Sequence, residues 1–503
     1  PDDPATLEQA AFSTLASGDV ATAARLAAAA DRDVLAGAMF AQLALIVDDL
    51  AAGRNRRALI RLESVRLGMM NEDLVRALRA WLVAPDSLDP AVDPDLQPGR
   101  RNHAGELAYV RGLILLSAGR DAQALAAFEQ GWSSGVRLPY ATAVYLRLLA
   151  ALGDRPKAFV ILKGLQAEAG LSPEIEDVAA GLAAGVGFGA RFSTRQGMAR
   201  TIHALSGDAR AESGPELAML HLALALHIDP AFELARLQLA QALREQGRDA
   251  DAVSELRKIR GPSPYHDHAR AEEAWLLQGL GRDAEALQVA DGIASAARDR
   301  FVRLRVADLY LELERNVDAN TLLGAVVEQD AADGRRDWRP LFARAGALRK
   351  LGRWQDAEAD LVSALEIAPD RPELLNFLGY AWVERGIKIE DGLGLIEQAM
   401  ANEPDAGYIV DSLGWAHYRL GAYEEAVQIL ERAAELTPSD PVIADHLGDA
   451  YWRIGRVIEA GYAWRNGLTL KPEAPLEASL RTKMASGLSA TGATMTADGQ
   501  AIP

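Results

Sequence analysis

The sequence contains no cysteine, and this absence excludes two kinds of site at once. Without thiols the chain forms no disulfide bond, and it offers no thiolate ligand for a structural zinc ion. No apolar run reaches the ~18 residues that a membrane-spanning helix needs. The apolar stretch at 216–228 is too short and contains histidine, so the sequence predicts no transmembrane segment.

Positive charge is also in deficit. The 503 residues include 53 Lys and Arg against 71 Asp and Glu, which gives a formal net charge of −18. A surface of this sign repels phosphate backbones, so nucleic acid is not an expected partner. A basic or apolar protein segment is easier to accommodate. The composition, 49% hydrophobic and 25% charged, is that of a folded globular chain.

Signatures of catalysis and of cofactor binding are missing as well. The chain has no P-loop, no HExxH, no GxSxG and no EF-hand loop. Gly185, Gly187 and Gly189 form a glycine-rich run, but no strand precedes it, so it does not predict a dinucleotide site. His266 and His268 are close in sequence, yet beside the loop GPSPY they are better explained as polar surface than as metal ligands. We therefore expect no catalytic residue, no cofactor and no metal.

What the chain does contain is one unit repeated along its C-terminal part. Residues 411–438, DSLGWAHYRLGAYEEAVQILERAAELTP, and residues 445–472, DHLGDAYWRIGRVIEAGYAWRNGLTLKP, have Leu-Gly, Gly, Ala and Pro at matching positions. Glycines recur at intervals of 34, 35 and 34 residues, at Gly352, Gly386, Gly421 and Gly455. Prolines keep the same period, at Pro369, Pro404, Pro438 and Pro472. A fixed period of this size indicates a stacked-repeat architecture.

Each recurring residue has a physical reason. A glycine inside a helix costs roughly 1 kcal/mol against alanine, so Gly414 predicts a close approach to the returning helix, at Ala426. Gly421 is expected to end the first helix of its unit in a left-handed conformation, and Pro438 to stop the second helix. Apolar residues at helical spacing from Ala426 to Ala433 form a stripe that only stacking against a neighbouring unit can bury.

This pattern resembles the tetratricopeptide repeat (TPR), in which Leu-Gly, an aromatic residue, a turn glycine, an alanine and a proline recur in that order. The resemblance is strongest over residues 338–472 and continues in weaker form towards the N-terminus. One unit there has Glu314 where the turn glycine belongs. The resemblance implies an all-α fold, a right-handed α-solenoid of about twelve TPR-like helical hairpins with a C-terminal capping helix.

Breaks in the repeat indicate the domain organisation. A stretch rich in Pro and Asp begins at residue 84, and the end of the chain is polar and built of small residues. We expect N-terminal TPR-like hairpins at 1–83, a linker or loop at 84–104, degenerate repeats at 105–232, repeats at 233–337, well-formed repeats at 338–474, a capping helix at 475–486 and a disordered tail at 487–503.

In the family that this chain resembles, ligand-facing residues lie on the first helix of each unit, on the face turned away from the second helix. Transferred position by position, this implies a protein-binding face whose residues recur at spacings of three to five. Its members are Asn376, Tyr380, Glu384, Asp411, Trp415, Tyr418, Arg419, Asp445, Asp449, Trp452 and Arg453. Tyr, Trp and Arg are the residue types that dominate binding hot spots.

Core packing is the competing interpretation for the aromatic residues of this face. Trp382 and Trp464 occupy apolar positions of the repeat and are predicted to be core. The choice stays open for three residues, Trp415, Tyr418 and Trp452. His446 lies inside a repeat, where a hydrogen bond between helices explains it better than catalysis does.

One specialisation of the family does not fit this face. The clamp that holds the acidic C-terminal tails of chaperones relies on Lys and Asn, whereas this chain has Asp411 and Asp445 where a basic residue is needed. An acidic tail would be repelled. A basic or apolar peptide, or the surface of a folded protein, suits the face better.

Residues 216–472 are also similar to a bacterial subgroup of exported tetratricopeptide proteins. The subgroup includes lipoprotein adaptors that recruit a carboxy-terminal processing protease and its substrates. This resemblance implies a non-enzymatic adaptor that binds a protein or peptide partner in a concave groove. The implied location is the periplasm or the outer membrane, with the cytoplasm as the alternative.

Two further points stay open in the sequence. Those adaptors carry a lipidated N-terminal cysteine, which this chain lacks, and the chain opens PDDPATLEQAAF without Met or a signal-peptide core. A removed leader and a trimmed chain would each explain that opening. The alternative function is a permanent structural subunit of a larger assembly, and the sequence does not indicate an oligomeric state.

Overall fold

The computed structural model describes residues 3–65, 72–87, 103–168, 171–185, 192–206 and 215–488. These residues form 28 helices and no strand, which confirms the predicted all-α fold. The helices divide into two compact units, residues 1–295 and residues 296–503. Within the described ranges, no helix is both long enough and apolar enough to cross a membrane.

The first unit is a succession of helices joined mostly by short turns. Those that the structure describes are, in chain order, α1 (Pro4–Ala16), α2 (Val20–Ala29), α3 (Arg32–Ala36), α4 (Met39–Ala51), α5 (Asn55–Ser64), α6 (Glu72–Ser87), α7 (Ala104–Ser117), α8 (Asp121–Ser133), α9 (Pro139–Ala151), α10 (Arg155–Glu168), α11 (Pro173–Ala183), α12 (Thr194–Ala204), α13 (Pro215–Ile228), α14 (Glu233–Glu245), α15 (Asp249–Leu256), α16 (His266–Gly279) and α17 (Asp283–Ala294).

The N-terminal helices of this unit pack against α12 and α13, far along the chain. Trp81 on α6 donates a hydrogen bond from Nε1 to Oγ1 of Thr201 at 2.8 Å. Nε2 of His227 lies 3.2 Å from a carboxylate oxygen of Asp48. Most of the linker expected at 84–104 lies outside the described residues, and α6 extends into its first part, to Ser87. The N-terminal hairpins therefore share a core with later helices.

The second unit is a regular stack of hairpins in which consecutive helices pack against each other. Its helices are α18 (Arg300–Glu312), α19 (Asn316–Ala332), α20 (Arg339–Lys350), α21 (Trp354–Ile367), α22 (Pro372–Arg385), α23 (Ile389–Asn402), α24 (Gly407–Arg419), α25 (Tyr423–Leu436), α26 (Pro441–Arg453), α27 (Val457–Thr469) and α28 (Ala474–Ser486). The first helices of the hairpins are α18, α20, α22, α24 and α26.

Left-handed residues make the turns between the two helices of a hairpin. Gly386, Gly421 and Gly455 have φ angles of +68°, +83° and +85°, which confirms the left-handed turn predicted at Gly421. Glu314 occupies the same position in the hairpin of α18 and α19, and its φ is +56°. Non-glycine residues rarely adopt this conformation. The turn geometry of the repeat is therefore kept even where glycine is missing.

Small residues allow the two helices of a hairpin to approach closely. A Cβ added to Gly379 would lie 2.6 Å from the carbonyl oxygen of Gly392, so the two backbones are almost in contact. A Cβ added to Gly414 would lie 2.6 Å from Cγ of Leu430, so the residue that meets Gly414 most closely is Leu430 and not the predicted Ala426.

The helix α28 covers the end of the stack. Its residue Leu480 is fully buried and packs against Ala460 and Trp464 of α27. The helix occupies the position at which a capping helix was predicted. Most of the predicted tail and most of the glycine-rich run, residues 489–503 and 186–191, lie outside the described residues.

Replacing Gly414 with alanine should destabilise the second unit, because the new Cβ would overlap Leu430. Overpacking of this kind costs about 1–3 kcal/mol. Gly346 provides a matched control, since it also lies inside a first helix but a Cβ there would have nothing within 4 Å. Gly346→Ala should leave stability unchanged or raise it by up to about 1 kcal/mol. Circular dichroism melting compares the two variants, and equal melting temperatures would contradict the close approach.

Candidate functional site

The second unit contains a cavity of about 480 Å³ formed by the first helices α20, α22 and α24 and the start of α26. This cavity is named the aromatic groove. Its lining comprises Phe342, Arg349, Glu373, Asn376, Phe377, Tyr380, Ala381, Glu384, Tyr408, Asp411, Ser412, Asp440 and Val442. Because these residues come from successive repeats, the stacking of the hairpins builds the groove.

Aromatic and aliphatic side chains form the apolar part of the groove. The rings of Phe342 and Phe377 meet edge to face with centroids 5.5 Å apart. The guanidinium of Arg349 lies 5.5 Å from the centroid of the Phe377 ring. Tyr408 and Val442 are 45% and 40% exposed. Large apolar side chains that are exposed beside one another mark surfaces where another molecule binds.

Two buried oxygen atoms in the groove have no hydrogen-bond partner among the described residues. They are Oδ1 of Asn376 and Oε2 of Glu373. The other carboxylate oxygen of Glu373 accepts a bond from Arg371 at 3.1 Å. A buried acceptor without a partner costs about 1–3 kcal/mol. Both atoms would therefore be stabilised by a hydrogen-bond donor that entered the groove.

The charge of the groove is negative. Its lining contains the carboxylates of Glu373, Glu384, Asp411 and Asp440 against the single guanidinium of Arg349. Asp440 also caps α26, since its Oδ1 accepts a bond from the backbone N–H of Val442 at 2.8 Å. Burial raises the pKa of the Tyr380 hydroxyl, so this group stays protonated and can donate. A ligand with positive charge and apolar side chains matches these features.

Trp415 and Tyr418, for which core and binding roles stayed open, are both buried. Their rings are stacked with centroids 4.6 Å apart, and the ring of His446 stacks on Trp415 at 4.1 Å. Nδ1 of His446 lies 3.0 Å from both carboxylate oxygens of Asp411, which is the contact between helices expected for this histidine. Burial alone lowers the pKa of His446, but the carboxylates of Asp411, Asp445 and Asp449 together outweigh burial and the pKa is raised. Trp415 and Tyr418 therefore pack between neighbouring repeats.

Asp445 and Asp449 are held by a residue of the capping helix. Nζ of Lys483 lies 2.7 Å from Oδ1 of Asp445 and 2.8 Å from Oδ2 of Asp449. Trp464 donates from Nε1 to the other oxygen of Asp449 at 3.0 Å. Burial raises the pKa of Asp449 to about 6. Burial alone lowers the pKa of Lys483, but the two carboxylates outweigh it and the pKa is raised.

The remaining predicted residues make contacts within the chain. Arg453 donates from Nε to the hydroxyl of Tyr418 at 3.1 Å, and Arg419 donates to the backbone oxygen of Glu384 at 2.8 Å. Trp452 is partly buried, with its ring 5.5 Å from that of Trp464. Trp464 itself is 1% exposed, as predicted for a core residue.

Trp382 has a more mixed position than the core role predicted for it. Its side chain is only partly buried. Nε1 donates to Oε1 of Glu358 at 2.8 Å, and Nζ of Lys388 lies 4.4 Å from the ring centroid. The indole therefore packs with one face against the hairpin and keeps its polar edge near the surface.

Four of the eleven predicted residues lie together in the aromatic groove, namely Asn376, Tyr380, Glu384 and Asp411. The other seven do not line it. Sequence reasoning missed Phe342, Phe377, Tyr408, Val442, Glu373 and Asp440. Three of these, Glu373, Tyr408 and Val442, share one repeat position, 13 residues before the turn glycine. That position lies one helical turn before the first one considered, and the large side chains of Tyr408 and Val442 at it were the available signal.

No group of three or more potential metal ligands comes together among the residues that the structure describes. His266 and His268, which follow the loop GPSPY, belong to the first turn of α16. Nδ1 of His266 lies 2.8 Å from the neighbouring Asp267 carboxylate. This pair of histidines thus sits at a helix start, where polar residues are common.

Stacked helical hairpins with small residues at their crossings and a groove along their first helices define a helical-repeat protein. Residues 388–441 match the family model of the tetratricopeptide repeat. A TPR repeat-containing protein of Pseudomonas aeruginosa is 27% identical over 194 residues, which are 39% of this chain and 32% of that protein. The matched region thus spans about a third of the relative. Residues 388–441 therefore have the sequence pattern of a tetratricopeptide repeat.

The chain is also similar to solved structures of tetratricopeptide repeat proteins. One from Parabacteroides merdae is 12% identical and superposes with a TM-score of 0.44, covering 50% of this chain and 98% of that one. A thermophilic protein from Thermus thermophilus is 22% identical with a TM-score of 0.33, covering 38% of this chain and 98% of its own. Tetratricopeptide repeat proteins generally mediate protein–protein interactions.

Replacing Lys483 with methionine should destabilise the end of the stack, because Asp445 and Asp449 would remain buried without their cation. Removing one partner of a buried ion pair costs about 3–5 kcal/mol. Arg481→Met is the matched control on the same helix, since Arg481 pairs with Glu477 at the surface and such pairs contribute about 0–1 kcal/mol. Circular dichroism melting and hydrogen exchange of α27 measure the difference. Identical behaviour of the two variants would show that Lys483 does not hold the capping helix.

Proposed function

We propose that this chain is a non-enzymatic interaction scaffold that binds a segment of a partner protein in the aromatic groove. The observation that carries the proposal is the pair of unpartnered oxygens, on Asn376 and Glu373, beside the exposed side chains of Tyr408 and Val442. This arrangement does not stabilise the hydrophobic core, since unpaired buried acceptors destabilise the folded state. A ligand that brings hydrogen-bond donors would pair these acceptors, and its apolar side chains would cover Tyr408 and Val442.

The groove supports one kind of ligand. Apolar side chains would pack against Phe377, Tyr408 and Val442, and a backbone N–H would donate to Oδ1 of Asn376. A Lys or Arg side chain would reach the carboxylate of Glu373. We infer that the ligand is a protein segment in which basic and apolar residues occur close together. Such a segment also suits the net charge of −18.

A fluorescein-labelled peptide that mixes Lys with Leu and Phe tests this proposal by anisotropy. The double variant Asn376→Leu/Tyr408→Ala should bind it about tenfold more weakly, because a hydrogen bond and an aromatic contact are lost. Its melting temperature should not fall by much, since Asn376→Leu removes an unpaired buried acceptor. A binding loss without a stability loss separates a ligand-binding role from a structural one.

Tyr462→Ala provides the matched control for that experiment. Tyr462 is 64% exposed and lies on α27, outside the groove. Its removal should change the peptide affinity by less than about twofold. The proposal fails if the wild-type chain binds the peptide no better than one in which Lys is replaced by Glu. It fails equally if both variants bind like the wild type.

The similarity to exported adaptors extends the proposal. We propose that the partner is a processing protease or another enzyme of the bacterial envelope, brought to its substrates by this chain in the periplasm or at the outer membrane. The resemblance of residues 216–472 supports this extension. The second candidate function is a permanent subunit of a larger assembly, which the regular stack of α18 to α28 would also serve.

Salt dependence of partner capture distinguishes the two candidates. A recruiting adaptor with an acidic groove should release its partner as ionic strength rises, because electrostatic attraction is screened. A permanent subunit should keep its partner, since obligate interfaces bury large apolar areas. Pull-down from a bacterial envelope extract at 0.1 M and 1 M salt measures this. Retention of the partner at 1 M salt would rule out the recruiting role.

A further inference from the structure

The first unit contains a second cavity, with the opposite charge. It has a volume of about 560 Å³ and lies among α3, α4 and α5. This cavity is named the arginine pocket. Its lining comprises Arg32, Leu35, Ala36, Gln42, Ile46, Arg57, Ile60, Arg61, Ser64 and Val65. Three arginines and no acidic residue line it, in a chain whose net charge is −18.

The buried carboxylate of Asp49 lies beside two of the three arginines that line the pocket, Arg57 and Arg61. The side chain of Asp49 is 2% exposed, and its two oxygens lie 2.6 Å from Nε of Arg54 and 2.9 Å from Nε of Arg61. Arg57 is further away, at 3.6 Å, and its side chain is 60% exposed. Asp49 is thus close to three guanidinium groups, of which Arg54 also pairs with Asp48 at 2.6 Å. The excess charge stays positive at the pocket, and Arg57 keeps most of its hydrogen-bonding capacity for another group.

The pocket also has an apolar side. Ile60 on α5 is 58% exposed, next to the partly buried Leu35 and Val65. Ile46 is fully buried and forms part of the wall. Arginine combined with exposed aliphatic surface is typical of protein contacts rather than of a simple ion site. The occupant therefore needs both a carboxylate and an apolar side chain.

We propose that the arginine pocket is a second docking site, which binds an acidic segment of a partner protein through Arg32 and Arg57 with an aliphatic side chain against Ile60. The guanidinium of Arg57 binds a carboxylate in the two-bond geometry that arginine favours. A short acidic segment experiences mainly this local charge, because charges further than about 8 Å away are screened at physiological salt. An extended anionic surface such as a membrane or a nucleic acid would meet the acidic remainder of the chain.

This second site has a consequence for the scaffold. The aromatic groove suits a basic segment and the arginine pocket an acidic one, so the two sites select different partners. A chain with two sites of opposite charge can hold two different proteins at once. The inference stands on the pocket alone and does not depend on the aromatic groove.

A fluorescein-labelled peptide that carries Glu and Asp around two leucines tests the proposal with the full chain. The double variant Arg32→Glu/Arg57→Glu should bind it about tenfold more weakly or worse, because the peptide loses two charged contacts. Arg25→Glu/Arg56→Glu is the matched control. It makes the same change of net charge at two exposed arginines of the first unit that do not line the pocket. The control should lose less than about threefold.

Several outcomes would overturn the proposal. Equal losses in the two double variants would show a general charge effect, and tight binding of a peptide with Lys in place of Glu would show that charge does not select the ligand. Displacement of the acidic peptide by phosphatidylglycerol vesicles at lower concentration than by unlabelled peptide would assign the pocket to a membrane. Self-association that Arg32→Glu/Arg57→Glu abolishes, measured by ultracentrifugation, would assign the pocket to a second copy of the chain.

A further variant tests whether the two sites are independent. If Asn376→Leu/Tyr408→Ala binds the acidic peptide as tightly as the wild type, the arginine pocket is independent of the aromatic groove.

Discussion

Close contact between the two helices of each hairpin is the constraint on which the second unit depends. At Gly379 the backbones themselves meet, and at Gly414 and Gly448 the side chains of Leu430 and Trp464 lie directly against the glycine. Any larger residue would push the helices apart and change the angle at which the next hairpin stacks. The aromatic groove is built from residues of successive hairpins, so its shape is set by these crossings.

The recurrence of glycine, alanine and proline was enough to predict the helices and their turns, because local backbone geometry leaves few alternatives. Even Glu314, a non-glycine residue, adopts the left-handed turn. The site was harder to predict. Asn376 and Tyr380 follow from the repeat position, whereas Trp415 occupies an equivalent position and is buried. A repeat position fixes the direction of a side chain, but the neighbouring hairpin decides whether water can reach it. The pairing of Lys483 with Asp445 joins residues 38 positions apart, across the last hairpin, where no earlier repeat offers a comparison.

The distribution of charge separates the two candidate binding surfaces more clearly than their shapes do. Acidic residues outnumber basic ones, 71 to 53. Four of them line the aromatic groove, whereas none lines the arginine pocket. Buried carboxylates also have different uses in the two units. Asp49 positions arginines that remain available at the surface, whereas Asp445 and Asp449 are fully engaged by a lysine. Net charge alone would have predicted only one class of partner.

The ion pairs of Lys483 with Asp445 and Asp449 also affect how the stack of repeats ends. The last face of such a stack resembles the faces inside it, so an uncovered end could accept the first helix of another molecule and continue into a filament. Here α28 covers that face with Leu480 and satisfies both acidic residues with one ammonium group. Within the residues that the structure describes, α28 thus ends the series of hairpins and opposes head-to-tail polymerisation at this end.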